Sequence, residues 1–126
     1  MSWDNELNEM AQRANLAEAM GGEEKVARQH EFNKLTIRER IAHIADADSF
    51  HEIGKLAGVG EYDEDGNLTH LTPSNFVFGT AEIDDRPVIL SGDDFTVRGG
   101  SADASIAGKR TPVSYTHLTL PTILRV

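Results

Sequence analysis

Apolar and small residues in the first third of the chain recur at helical spacing. Between Glu6 and Met20 the pattern predicts an amphipathic helix, and Gly21-Gly22 ends it because paired glycines favour a break in the helix. A short second helix or turn is predicted over residues 23–32. Asn33 follows, one of the few non-glycine residues that tolerate a left-handed backbone.

A capping box predicts the start of a third helix. Thr36 and Glu39 stand three residues apart, so the threonine hydroxyl can accept an orphan amide while the glutamate reaches back to the main chain. The isoleucines at positions 37, 41 and 44 then share one face of a helix that ends near Asp46. A short strand is predicted next, from Ser49 to Ile53.

The second half of the chain carries the clearest strand signals. Residues 76–83 and 87–97 are rich in Val, Ile and Phe, and they are predicted to pair as a hairpin across Asp84-Asp85. Val88-Ile89-Leu90 is apolar without alternation, which predicts a strand covered on both faces.

Residues 54–75 contain several glycines and a proline, and they are predicted to be mostly loop. The acidic run from Asp63 to Asn67 faintly resembles a calcium loop. Its glycine falls one place early, and Ser74 stands where the last glutamate ligand would be. A solvated turn is the better interpretation.

Composition excludes several classes of function. The chain holds 21 Asp and Glu against 12 Lys and Arg, a net charge of −9, whereas nucleic-acid binders normally carry a basic surface. It has no cysteine, so disulfides, thiolate nucleophiles and sulfur-ligated metals are excluded. No apolar run approaches the ~20 residues of a membrane helix, and no secretory leader is recognisable. A cytoplasmic, soluble, acidic domain is expected.

Residues 112–126 differ from the rest of the chain. They contain no Asp or Glu, and Arg125 is their only charge. The stretch from Val113 to His117 resembles the translated end of a transposon adapter used to make sequencing libraries. We therefore expect residues 112–126 to be an artefact and the natural sequence to continue beyond about residue 111. The alternative is a genuine irregular extension.

The segment Arg98-Gly99-Gly100, followed by Ser101, could carry chemistry. A strand that ends in glycines and enters a helix at a serine N-cap presents main-chain amides that can bind a phosphate, a carboxylate or an oxyanion. An ordinary strand–helix connector is the other interpretation. Asp93 and Asp94 are neighbours on a predicted strand, so they point to opposite faces, and at least one is expected to be structural or solvated.

Neither a serine hydrolase nor a histidine metal site is predicted. Ser101 lies outside any Gly-x-Ser-x-Gly elbow. The histidines upstream of residue 112 have no metal-ligand spacing; they stand at positions 30, 43, 51 and 70.

Three ordered motifs resemble the carboxyltransferase (beta) subunit of biotin-dependent acyl-CoA carboxylases, and the resemblance is closest to propionyl-CoA carboxylase. The first runs from Met20 to His30, the second from Lys34 to Ile41 and the third from Gly92 to Asp103. Asn33 and Asp85 stand where that family commonly has glycine. Because both residue types tolerate left-handed conformations, the departures do not threaten the fold.

The resemblance implies an α/β fold, namely an incomplete crotonase-like domain (a β-β-α spiral) preceded by N-terminal helices. Residues 1–48 are then the helical segment, residues 49–111 the start of the acyl-CoA-binding carboxyltransferase domain, and residues 112–126 the artefactual tail. The chain is thus expected to be an N-terminal fragment, inactive alone, that lacks the family's main oxyanion-hole segments.

The activity that the resemblance implies is transfer of a carboxyl group from carboxybiotin to the α carbon of a short-chain acyl-CoA, of the propionyl- or acetyl-CoA class. Biotin is expected on a separate carrier domain, with a biotin carboxylase or carrier subunit as partner and a homo-oligomer between dimer and hexamer. No metal, nucleic acid, membrane or catalytic side chain is expected in this chain. The residues expected to bind acyl-CoA are Arg98, Gly99, Gly100, Ser101, Ala102 and Lys109, with Arg98 and Lys109 near the phosphates.

Two alternatives stay open at this point. One is another crotonase-fold enzyme that acts on CoA thioesters, either a decarboxylase or a hydratase. The other is a small non-catalytic acidic module that packs against a partner.

Overall fold

The computed structural model describes residues 2–100, which begin with three short helices. α1 spans Asp4–Glu18, α2 spans Glu23–Glu31 and α3 spans Ile37–Ile44. The helices predicted before residue 48 are confirmed, and Asn33 has the left-handed φ of 55° that its type allows. None of the helices described here is long and apolar enough to cross a bilayer.

The capping box of α3 is formed as predicted. The Thr36 hydroxyl accepts a hydrogen bond from the Glu39 amide at 3.3 Å, and the Glu39 carboxylate accepts one from the Thr36 amide at 2.8 Å. The apolar stripe of α3 fades along the helix, because Ile41 is buried whereas Ile44 is 53% exposed.

Strands fill the second half of the described region. β1 is His51–Glu52, β2 is Gly58–Tyr62, β3 is Leu68–Pro73, β4 is Phe76–Ile83 and β5 is Arg86–Asp93. They form two antiparallel sheets, one with the order β1-β4-β5 and the other a hairpin of β2 and β3. The strand predicted near Ser49–Ile53 is confirmed as the short β1.

The predicted hairpin of β4 and β5 is confirmed, including its turn. Asp84 and Asp85 both have left-handed φ angles, 50° and 63°, which is the geometry of a two-residue turn that matches strand twist. The Asp46 carboxylate accepts the amide hydrogens of both residues, at 3.0 and 2.9 Å. The turn is therefore fixed from outside the hairpin as well as by its own sequence.

The prediction that β5 is covered on both faces is only partly met. Val88, Ile89 and Leu90 are each half-buried, and none is fully buried. β5 lies at the edge of its sheet, within the described residues, so one side of the strand has no neighbouring strand there.

The prediction of loop over residues 54–75 is wrong, because β2 and β3 pair there. β2 contains Gly58 and Gly60 and carries mostly polar or exposed positions, which hid its strand character. The pairing is anchored by Leu68 and Leu71, which are buried. The acidic run is a turn, as predicted: the Asp63 carboxylate accepts the amides of Asp65 and Asn67.

The core lies where β4 meets α3 and the chain that follows β5. Val77, Phe78 and Ala81 of β4 are buried, and Ile41 of α3 and Val97 join them in the buried apolar set. β4 is thus the central element, and the segment after β5 is part of the packed structure rather than a free connector.

Candidate functional site

The segment after β5 is a tight turn, and this corrects the predicted extent of the strand. β5 ends at Asp93 rather than at Val97, because Asp94 draws the chain into a turn. Its carboxylate accepts hydrogen bonds from the Thr96 amide at 2.9 Å and the Thr96 hydroxyl at 2.7 Å. The Asp94 amide donates to the Asn75 carbonyl at 2.7 Å. Asp94, 2% exposed, therefore has a structural role.

The same turn is held against the link between α1 and α2. The Gly21 amide donates to the Thr96 hydroxyl oxygen at 2.9 Å. A β-carbon at Gly21 would lie 1.9 Å from the Thr96 carbonyl oxygen, so only glycine allows this approach. The position of residues 94–100 thus depends on helices that precede them by about 75 positions.

Arg98, Gly99 and Gly100 form one exposed corner of main chain. All three have left-handed φ angles, of 51°, 62° and 75°, and the Gly100 amide donates to the Val97 carbonyl at 3.0 Å. Among residues 2–100, no atom would lie within 4 Å of a β-carbon at Gly99. No side chain of the described residues therefore covers the main chain at Gly99, as a main-chain contact surface for a ligand requires.

The predicted site residues divide between two parts of the chain. Arg98, Gly99 and Gly100 are brought together in the exposed corner, whereas Ser101, Ala102 and Lys109 lie outside the described residues. The predicted helix from Ser101 lies outside them too. Contact of any of these residues with acyl-CoA stays a prediction.

A depression of about 430 Å³ lies beside this corner, between two walls, and we call it the helix–strand depression. Residues of α2, α3 and the link between them form the helix wall. The end of β5 and the start of the turn form the strand wall. The helix wall is Gln29, Lys34, Leu35, Thr36, Ile37 and Arg40, and the strand wall is Ser91, Gly92, Asp93, Asp94, Phe95 and Thr96.

Sequence patterns did not identify this depression as a site. Lys34 and Arg40 belong to a stretch that carried the family resemblance, but their spacing matches no ligand motif. Phe95 was counted as a strand residue, and it is in fact 64% exposed in the turn. Lys34 and Arg40 line the same depression as the exposed Phe95 ring only in the folded structure.

Two side-chain pairs, one at Glu39 and one at Arg38, adjoin the helix wall. The Glu39 carboxylate caps α3 and also lies 2.8 Å from His30 Nε2. The hydrogen bond from the Thr36 amide, followed by the contact with His30, lowers the pKa of Glu39 below its usual value. Arg38 forms a bidentate pair with Glu52 at 2.8 and 2.9 Å. These pairs fix α3 relative to α2 and β1.

Asp46, Glu82 and Asp85 bring carboxylate oxygens within 4.8 Å of one another. Both oxygens of Asp46 already accept main-chain amides of the β4–β5 turn. The cluster is therefore accounted for as the cap of a turn.

The helix–strand depression does not fit biotin. A site for its neutral ring system would be mostly apolar with a few aimed donors, whereas the helix–strand depression has charged side chains on both walls.

Comparison with known proteins gives consistent relatives, although no family model matches the chain. The carboxyltransferase subunit of propionyl-CoA carboxylase from Haloferax mediterranei is 31% identical, over 86% of this chain and 21% of the relative. The 12S subunit of methylmalonyl-CoA carboxyltransferase from Propionibacterium freudenreichii subsp. shermanii is 34% identical, over 76% and 18%. The alpha subunit of methylmalonyl-CoA decarboxylase from Veillonella parvula is 36% identical, over 72% and 18%. The chain spans about a fifth of the length of these relatives.

Solved structures agree with the sequence relatives. The crystal structure of transcarboxylase 12S, with methylmalonyl-coenzyme A and methylmalonic acid bound, matches with a TM-score of 0.69 at 31% identity. The match covers 86% of this chain and 21% of that chain. The helices and antiparallel strands described above are therefore shared with that carboxyltransferase fold.

Proposed function

We propose that this chain, a homologue of the carboxyltransferase subunits of acyl-CoA carboxylases, is the opening part of such a subunit and helps to hold its acyl-CoA substrate. The observation that carries the proposal is the match to transcarboxylase 12S, a protein whose structure contains methylmalonyl-coenzyme A. The exposed corner at Arg98–Gly100 supports the proposal, because its two glycines have no side chain that would keep a thioester away from the main chain.

The parent protein would transfer a carboxyl group from carboxybiotin to the α carbon of propionyl- or acetyl-CoA. Residues 1–48 would be its helical segment, residues 49–111 the start of its crotonase-like spiral domain, and residues 112–126 a tail foreign to it. Biotin would arrive on a separate carrier domain, and the subunit would act as a homo-oligomer in the cytoplasm. The fragment itself would be inactive.

The contribution of this chain to that reaction is placement. The Asp94–Thr96 hydrogen bonds and the Gly21 contact hold the corner in one position, so bound substrate is oriented without a reorganisation cost. Main-chain amides near Gly99 and Gly100 would face the thioester, and the Arg98 guanidinium would lie near its phosphates. Stabilisation of the enolate would come from donors elsewhere in the parent protein.

A decarboxylase is a second candidate, because the Veillonella parvula relative is named as a subunit of methylmalonyl-CoA decarboxylase and is 36% identical. Such an enzyme would bind the same class of thioester. Placement at the corner would then serve the removal of a carboxyl group rather than its transfer.

The test is to read the uninterrupted native gene beyond residue 111, to express its complete product, and to assay it. Biotin-dependent carboxylation of propionyl- or acetyl-CoA is expected, together with a second domain of the same fold in the translated sequence. Decarboxylation of methylmalonyl-CoA without carboxylation would favour the second candidate. A native sequence that continues through residues 112–126 to a stop would refute both.

A further inference from the structure

We propose that the exposed first half of α1 is a docking surface for a basic amphipathic helix of another polypeptide. The apolar contacts come from Trp3, Leu7 and Met10, which we call the α1 stripe. Carboxylates that flank the α1 stripe select a basic partner. The inference uses none of the residues assigned to the substrate, and it is independent of the proposed function.

The α1 stripe has the spacing of a helix face that binds another helix. Leu7 and Met10 follow Trp3 by four and seven positions, so the three side chains lie on one side of α1. Trp3 belongs to the first turn, because its carbonyl accepts the Leu7 amide at 2.9 Å. The three residues are 64, 59 and 51% exposed. Large apolar residues of types that are enriched at protein interfaces are thus grouped where solvent reaches them.

The same face of α1 is buried further along the helix. Ala14 and Ala17 continue the spacing of the α1 stripe, and Ala17 is only 2% exposed, whereas every residue in 2–8 is exposed. The Arg13 guanidinium donates to the Leu56 carbonyl at 3.2 Å, which fixes the second half of α1 against the rest of the described chain. The α1 stripe is therefore the part of a packing face that the described residues leave uncovered.

Carboxylates beside the α1 stripe determine which partner fits. Glu6 stands three positions after Trp3 and four before Met10, so it borders the stripe. Glu6, Glu9 and Asp65 line a groove of about 420 Å³ between α1 and the turn that joins β2 to β3, and no described Lys or Arg lines it. Lys or Arg side chains of a partner meet complementary charge there, whereas a second acidic copy of this chain is repelled.

Together the stripe and the groove specify a helix with one apolar side and basic flanks. Its apolar side chains cover the α1 stripe, and its Lys or Arg side chains reach Glu6, Glu9 and Asp65. A membrane surface is the other common partner of an exposed apolar helix face. Anionic lipids attract basic helices, so the carboxylates beside the α1 stripe disfavour that partner.

The only tryptophan of the chain is Trp3, so its fluorescence reports directly on the α1 stripe. The test is titration of the full 126-residue chain with a helical peptide of about five turns that carries Leu on one face and Lys on the other. Binding is expected to shift the Trp3 emission to shorter wavelength and to weaken as salt is added. A scrambled peptide, and one with Glu in place of Lys, should bind about tenfold more weakly or less.

Variants locate the binding surface. Leu7→Gln and Met10→Gln should each weaken binding of the Leu/Lys peptide by about tenfold, since each removes an apolar anchor. Ile44→Gln is the matched control, because Ile44 is 53% exposed on α3, and it should change binding less than about twofold. Glu6→Gln should weaken binding by about threefold and reduce its salt dependence. Glu24→Gln, at an exposed carboxylate on α2, should leave both unchanged.

Several outcomes would overturn the proposal. Absence of binding, or equal binding to the parent chain, Leu7→Gln and Met10→Gln, would refute the α1 stripe as the docking surface. Equal binding of the Lys and Glu peptides would refute selection by charge. Circular dichroism of each variant verifies that its fold is intact.

Three further measurements distinguish other occupants of the α1 stripe. A dimer in sedimentation equilibrium that is lost in Leu7→Gln would assign the surface to a second copy. A shift of Trp3 emission with anionic phospholipid vesicles, and none with the Leu/Lys peptide, would assign it to a membrane. The complete product of the native gene is expected to bind the peptide as the chain does. Its failure to bind would show that the parent protein covers α1 itself, against the assignment to another polypeptide.

Discussion

The two hairpins of this molecule differ in what holds them. The β4–β5 hairpin buries Val77, Phe78 and Ala81 on its inner strand and is closed by a two-residue turn. The β2–β3 hairpin buries Leu68, Leu71 and Pro73, all on β3, whereas every position of β2 is exposed or half-buried.

Polar contacts with α1 help to stabilise the β2–β3 hairpin, which buries fewer apolar side chains than the β4–β5 hairpin. Tyr62 donates its hydroxyl hydrogen to Glu9 at 2.7 Å and accepts from Arg13 at 2.7 Å, while Gln12 donates to the Leu68 carbonyl at 3.0 Å. The first hairpin is therefore expected to depend on apolar burial and the second on individually weak polar links. The contrast can be tested position by position.

The largest effect is expected from Phe78→Ala. The side chain is 1% exposed, so its removal leaves a cavity in the centre of the first hairpin and should cost about 3–5 kcal/mol of unfolding free energy. Urea denaturation measures this. Phe32→Ala, at a side chain that is 64% exposed, is the matched control and should cost no more than about 0.5 kcal/mol. Equal effects at the two positions would contradict the assigned core.

Asp46→Ala should have the next largest effect, because it removes the acceptors of both amides in the β4–β5 turn. A loss of about 1–2 kcal/mol is expected, reduced from the value for a fully buried group because Asp46 is only half-buried. Asp46→Asn should lose roughly half as much, since it keeps one acceptor.

Asp85→Asn is the control for charge repulsion among the neighbouring carboxylates. It relieves the same repulsion, keeps the Asp85 amide that Asp46 accepts, and places a residue type that tolerates the left-handed φ. Thermal denaturation should show Asp85→Asn as stable as the parent chain or more so. An Asp46→Ala protein as stable as the parent would refute the capping role.

Tyr62→Phe should have a smaller effect, confined to the second hairpin. The hydroxyl joins two half-buried charged groups, Glu9 and Arg13, so its removal should cost about 0.5–1 kcal/mol. Hydrogen exchange should become faster in β2 and β3 and stay unchanged in β4. Glu9→Gln in the Tyr62→Phe background should add little, whereas full additivity would show that the two side chains do not act together.

Glu39→Gln should have the smallest effect and one that depends on pH. The Thr36 amide and His30 lower the pKa of Glu39 in the folded chain, so its charged form stabilises the fold above the unfolded pKa of about 4.3. That stabilisation is lost as the pH falls through the lowered pKa. Unfolding free energies of the two proteins should differ at pH 7 and converge toward pH 3. A difference that is independent of pH would contradict the role of the charge.

Local chemistry explains which elements could be predicted from the sequence. The Thr36–Glu39 capping box and the paired aspartates at 84–85 each depend on neighbouring residues, and both are formed as expected. β2 was not predicted because pairing with β3 stabilises it as a strand, whereas its own residues carry little strand signal. The end of β5 was misplaced because the Asp94 carboxylate turns the chain after Asp93.

The same distinction, between features set by neighbouring residues and features set by distant ones, applies to the candidate site. The corner at Arg98–Gly100 contains two adjacent glycines and could be predicted from the sequence alone. The helix–strand depression could not, because Lys34 and Arg40 meet Phe95 only after α3 packs on β5, where Ile37 lies against Gly92. Similarity to the carboxyltransferase relatives did not reveal which side chains converge.

The most direct test of the central claim, that residues of this chain hold an acyl-CoA, is a chemical-shift titration of the isotope-labelled 126-residue chain with propionyl-CoA. Shift changes are predicted at the Arg98–Gly100 corner and in the turn at residues 94–97 that holds it, with β2 and β3 unaffected. Changes confined to other regions, or a spectrum that propionyl-CoA leaves unaltered, would contradict it.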